Sequence, residues 1–161
     1  MPYNGHAYLG VDVTDVSTTA KFELGTKALR NGNELTYIRA GSAIAVGDCL
    51  IVDVTSTSEP FVMIPSSAVN QSVEGIAQIA IPSGQFGWAV TSGNVTGVKV
   101  AASTAANAQL GTSATAGTLS TITIGGAYTQ AEIQRVLAAA AGKSVIALDA
   151  ESGGLAEVLI K

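Results

Sequence analysis

From Leu35 onward, short apolar runs alternate with turn residues at a spacing of roughly ten residues. Residues 35–38 precede the turn Ala40-Gly41, and 49–54 is an apolar run entered through Gly47-Asp48. Residues 61–64 lie between Pro60 and Pro65, and 76–81 between Gly75 and Pro82. Further runs follow at 86–91, 95–101, 119–124, 145–148 and 156–160. Val, Ile and Thr dominate them, and β-branched side chains suit a pleated, half-buried surface. The pattern predicts an all-β body, a barrel or sandwich. One segment has a different period. Thr129-Gln130-Ala131-Glu132 has the spacing of a capping box, Ile133, Val136 and Leu137 follow at helical intervals, and Gly142 stops the run. A short helix is therefore expected near 130–141.

Residues 1–24 stand apart. They are polar with isolated apolar positions, which predicts an extended N-terminal arm that packs poorly on its own body, residues 25–161. Its side chains Tyr3, Tyr8, Val11, Val13 and Phe22 are the candidates for contact with another protein. In Gly84-Gln85-Phe86-Gly87-Trp88, the rings of Phe86 and Trp88 fall on one strand face at period two. Core packing is the plain reading of that pair. A subunit interface is the sharper one, because aromatic anchors concentrate at interface centres.

Composition changes the picture. Of 161 residues, 47% are hydrophobic and only 12% charged, against about 25% charged in an average soluble domain. Between Pro82 and Ala131 the only Asp, Glu, Lys or Arg is Lys99. Such chain is suited to facing other protein rather than water. Mean hydropathy is +0.39, yet no apolar stretch approaches the ~20 residues of a spanning helix, so no membrane partner is expected. Net charge is −4, with eight Lys and Arg and no basic cluster, so no nucleic-acid partner is expected either. Met1-Pro2-Tyr3-Asn4-Gly5 lacks the basic and apolar regions of a secretory leader, which points to synthesis in a cytoplasm.

Catalytic chemistry is sparse. Gly142-Lys143-Ser144 ends like a phosphate loop, but Leu137 stands where that pattern needs Gly, and the triplet follows a helix instead of opening one. His6 is the only histidine and Cys49 the only cysteine. Cys49 opens an apolar strand, where Cys acts as a small hydrophobe. Carboxylates are scattered; Asp12 with Asp15, or Asp48 with Asp53, are the pairs that could meet. The expectation is no enzyme, no metal, no cofactor and no small-molecule substrate.

Four segments carry a family likeness. The first is Gly25-Thr26-Lys27-Ala28-Leu29-Arg30-Asn31-Gly32-Asn33-Glu34-Leu35-Thr36-Tyr37-Ile38-Arg39-Ala40-Gly41, leading to Ile44-Ala45-Val46-Gly47-Asp48. The others are Gly84-Gln85-Phe86-Gly87-Trp88-Ala89-Val90, Leu110-Gly111-Thr112-Ser113-Ala114-Thr115-Ala116-Gly117-Thr118-Leu119, and Ala147-Leu148-Asp149-Ala150-Glu151-Ser152-Gly153-Gly154-Leu155-Ala156-Glu157-Val158-Leu159-Ile160. In this order they resemble the small decoration, or capsid cement, proteins of tailed-bacteriophage heads. The resemblance implies a β-rich body, often a homotrimer, on the outer capsid surface of the virion. It also implies an N-terminal arm that contacts the major capsid protein and a stabilising role without chemistry. The alternative is a β-rich adhesion or glycan-binding module on a virion or cell surface, using Trp88 or a tyrosine.

Overall fold

The longest strand, Phe86–Lys99, runs through Ser92-Gly93-Asn94 without a break, where the apolar pattern predicts two strands. The computed structural model describes residues 11–56, 59–122 and 142–161. In chain order the strands are β1 (Lys27–Arg30), β2 (Asn33–Ala40), β3 (Cys49–Val52), β4 (Val62–Pro65), β5 (Gly75–Ala77), β6 (Phe86–Lys99), β7 (Gln109–Thr112), β8 (Leu119–Thr121), β9 (Val145–Ala147) and β10 (Leu155–Ile160). The all-β expectation holds among the described residues, none of which is helical. The helix expected over 130–141 lies outside them.

The ten strands form one sheet in the order β1-β2-β4-β3-β5-β6-β10-β9-β7-β8. Strand β2 pairs with β6 as well as with β4, so β2, β4, β3, β5 and β6 form a closed ring of hydrogen-bonded neighbours. Only the β2–β4 ladder is parallel among the described strands. The first half of β6 belongs to this ring, and its second half pairs with β10, which leads on to β9, β7 and β8. Two irregularities let one strand serve both. Thr91 is an extra residue opposite the Glu34/Leu35 step, and Thr96 with Gly97 stands opposite the single residue Glu157. Bulges of this kind sharpen the local twist.

Because both faces of the ring strands are covered, their apolar residues divide between two cores. Leu35 and Tyr37 of β2, Cys49 of β3, Ile76 of β5 and Trp88 and Val90 of β6 join one cluster with Val95, Val98, Leu110, Leu119 and Val158. Their neighbours Ile38, Ala40, Leu50, Ala77 and Ala89 join a second with Ile44, Met63 and Ile81. Period two thus decides which core each residue enters.

Strands β1 and β7 are not marked by an apolar run. Only Ala28 of β1 is buried, and β7 has Leu110 as its one large apolar residue. Their pairing with β2 and with β8 and β9 makes them strands. The run expected over 49–54 stops at Val52, because the Asp53 carboxylate accepts the Thr55 N–H and hydroxyl at 2.9 and 2.6 Å and turns the chain.

Residues 11–24 do not stand free of the body. Ser17 and Phe86 exchange two backbone hydrogen bonds at 3.1 and 2.9 Å. Val11, Val13, Phe22 and Leu24 pack on the first core and Val16 on the second. Their spacing is too irregular to show as a strand, but these five side chains each find a place against the sheet.

Candidate functional site

The N-terminal segment and the β2–β6 ladder meet in a group of four aromatic rings. Tyr37 and Trp88 are partners in that ladder, with centroids 5.0 Å apart. Phe22 sets its ring against both, at 5.3 Å from Tyr37 and 5.4 Å from Trp88 in edge-on geometry. Phe86 stacks on the other side of Tyr37, at 6.2 Å and 14°. The Tyr37 hydroxyl accepts the backbone N–H of Lys21 at 3.1 Å, so the one polar atom of this ring is satisfied. Trp88 is 1% exposed and Tyr37 2%. Trp88 is therefore taken up by its own chain and presents no ring face to a partner; Phe86 keeps part of its surface. Of the arm candidates, Val11, Val13 and Phe22 are half-buried against the core, while Tyr3 and Tyr8, like His6, lie outside the described residues.

Beside this cluster a cleft of about 260 Å³ opens between residues 13–14, the β1–β2 hairpin and Gln78-Ile79. Val13, Leu35, Ile79, Trp88 and Val90 supply its apolar lining, with Trp88 and Val90 almost fully buried beneath. Thr14, Arg30, Asn31, Asn33 and Gln78 supply the polar lining. Arg30 and Asn33 are the last pair of the β1–β2 ladder, which leaves Asn31-Gly32 as a two-residue turn with φ of 50° and 80°. Positive φ at both positions is the type I′ hairpin that Asn-Gly favours.

Several contacts hold the polar lining in place. The Asn33 carboxamide donates to the Asn94 carbonyl at 2.7 Å and accepts the Asn94 N–H at 2.9 Å. This clasp needs Gly93 beneath it: a Cβ there would overlap the Asn33 carboxamide, and φ is +117°. Gln78 donates to the Thr96 carbonyl at 3.3 Å. The Asp12 carboxylate accepts the Thr14 N–H and hydroxyl at 2.9 and 2.6 Å. Those hydrogen bonds hold the Asp12 carboxyl below its ordinary range, assisted by the charges of Arg30 and Lys21.

Among the described residues Arg30 makes no ion pair, whereas Lys21, Lys27, Arg39 and Lys99 bind Asp15, Glu34, Glu59 and Asp48. Lys27 bridges Glu34 at 2.9 Å and Thr36 at 2.7 Å, and Thr36 meets the bulge residue Thr91 at 3.0 Å. The Lys27 ammonium is the chief reason that the Glu34 carboxyl lies below its ordinary value of 4.5. Asp48, 4% exposed, binds Lys99 at 2.6 Å and accepts the Ala45 N–H at 2.7 Å. Gly117 passes so close that a Cβ would overlap that carboxylate.

The pair Asp48 and Asp53 does not form a joint site: Asp48 is spent on Lys99 and Ala45, Asp53 on its own turn. Burial pushes the Cys49 thiol up to about 12, so it stays protonated at neutral pH. Among the described residues no group of three His, Cys, Asp or Glu could hold a metal ion. Apolar periodicity does not single out Arg30, Asn31 or Asn33, because a turn residue carries no burial signal. The Asn31-Gly32 dipeptide was the available sign of a hairpin.

The sequence matches no protein-family model and no curated protein. Among solved structures, the fold is similar to the crystal structure of the head fiber gp8.5 N base in bacteriophage phi29, with a TM-score of 0.51 and 14% identity. The match covers 79% of this chain and 92% of that one. At that identity the likeness is one of fold.

Proposed function

We propose that this protein is a structural component of a tailed-phage virion, which binds the outer surface of the assembled head and cements neighbouring major capsid protein subunits. The fold likeness to a head-fiber base carries this reading. The four sequence segments quoted above and the charge-poor stretch after Pro82 support it. The action needs no reactive group. A subunit that binds only the assembled shell stabilises it by mass action. A homotrimer would multiply a weak contact, since the second and third contacts become intramolecular.

The test heats empty heads of the phage with and without the bound protein and reads the rupture temperature. A rise on binding is expected, and equal temperatures would defeat the reading. A truncation probing the N-terminus should remove residues 1–10 only, because Val11, Val13 and Phe22 belong to the packed body. Glycan recognition through Trp88 is disfavoured, since stacking a sugar needs an exposed ring and this one is 1% exposed.

A further inference from the structure

We propose that the cleft between the N-terminal segment and the β1–β2 hairpin is a peptide-docking site, which takes one apolar side chain of an extended acidic segment and pairs its carboxylate with Arg30. At about 260 Å³ it falls below the roughly 300–1,000 Å³ of a drug-sized ligand site, which suits a side chain or two. The apolar surface open to that side chain comes from Val13 and Ile79, which lie over the almost fully buried Leu35, Trp88 and Val90. Its mouth carries a guanidinium that has no ion-pair partner among the described residues, although four of the chain's other cations each have one. A planar guanidinium is suited to a carboxylate, which it can meet through two parallel hydrogen bonds.

Preorganisation separates this from a lone surface arginine. The hairpin that presents Arg30 is a tight two-residue turn, and the Asn33–Asn94 clasp ties it to β6. Gln78 is tied to the same strand through the Thr96 carbonyl. A ligand entering such a cleft orders little of the protein, so more of the contact energy remains as affinity. Asp12 is the local competitor: its charge interacts with Arg30 without forming an ion pair. An incoming carboxylate replaces that distant attraction with a direct one. That the segment belongs to a shell subunit rests on the capsid-binding reading; the chemistry of the site does not.

The probe is the blocked peptide Ac-Thr-Glu-Leu-Glu-Thr-NH2, titrated into the full-length protein and followed by NMR at the Trp88 indole N–H and the Asn31 and Gly32 amides. A saturable shift is expected, with a counterpart carrying Gln for both Glu binding several-fold more weakly. Arg30→Glu should weaken the acidic peptide about tenfold, the scale of reversing one exposed charge pair. Asp12→Asn, which keeps the oxygen that Thr14 binds, should tighten it. The differences should shrink in 0.5 M salt, where screening acts within ~4–5 Å. No shift at the cleft, or equal affinity for both peptides and for Arg30→Glu, would overturn the proposal. Co-sedimentation with heads tests the capsid reading separately, so either idea can fail alone.

Discussion

At the residue scale, the close approaches decide more than the volumes. Gly93 has no Cβ, and that absence lets the Asn33 carboxamide lie against β6. Gly93→Ala adds both a steric clash and a strained φ, so it should cost about 2–3 kcal/mol, read from the urea midpoint. An unchanged midpoint would show that the clasp contributes nothing. Trp88 works in the opposite way, by filling space: Trp88→Ala should cost about 3–5 kcal/mol, as large core truncations do. The Glu34 carboxyl lies below its ordinary value of 4.5 because Lys27 holds it ionised. Its folded pKa being depressed, the stability it adds is present above that ordinary value and is lost as pH falls through the folded one. The denaturation midpoint should therefore drop on acidification below about pH 4.5, and drop less in Glu34→Gln. A variant with the same acid slope as the parent would remove Glu34 from the account.

At the element scale, the N-terminal segment and β6 matter most. Residues 11–24 lack the alternation of a strand, yet they cover Tyr37 and Trp88 through Phe22 and join the edge of β6 through Ser17. Removing residues 1–24 should expose the Trp88 region, shift its fluorescence to the red and lower the melting temperature. An unchanged melting temperature would leave the segment without a role in stability. Strand β6 is legible as two β segments because the apolar runs 86–91 and 95–101 are separated by Ser92-Gly93-Asn94. That they are one strand is not legible, because Ser92 pairs with Glu34 of β2 while Gly93 and Asn94 pair with Ile160 and Leu159 of β10, partners remote in the chain.

At the scale of the whole molecule, few charges are spread over a chain of net charge −4. Copies of an acidic protein repel one another, though screening confines this to about 10 Å at 0.1 M salt. Residues 100–122 carry no Asp, Glu, Lys or Arg, so contact through them meets no such repulsion. If the protein works as a homotrimer, sedimentation should show a species of three times 16.1 kDa at micromolar concentration. A single species at 16.1 kDa across the range would leave arm multiplicity without a basis. An increase of the trimer with salt would favour apolar over charged contact.

The sequence alone determined the all-β class, most of the strand positions and the paucity of reactive groups. These follow from local properties: period two, β-branched runs, Gly and Pro at turns, and residue counts. Phe86 and Trp88 were correctly set on one face, but alternation cannot say whether a face meets its own chain or another. Only the tertiary structure decided that Trp88 is enclosed, that residues 11–24 complete the core, and that Arg30 stands beside an apolar cleft. Each of those depends on which distant segments share space, and a one-dimensional pattern of polarity carries no distance between segments.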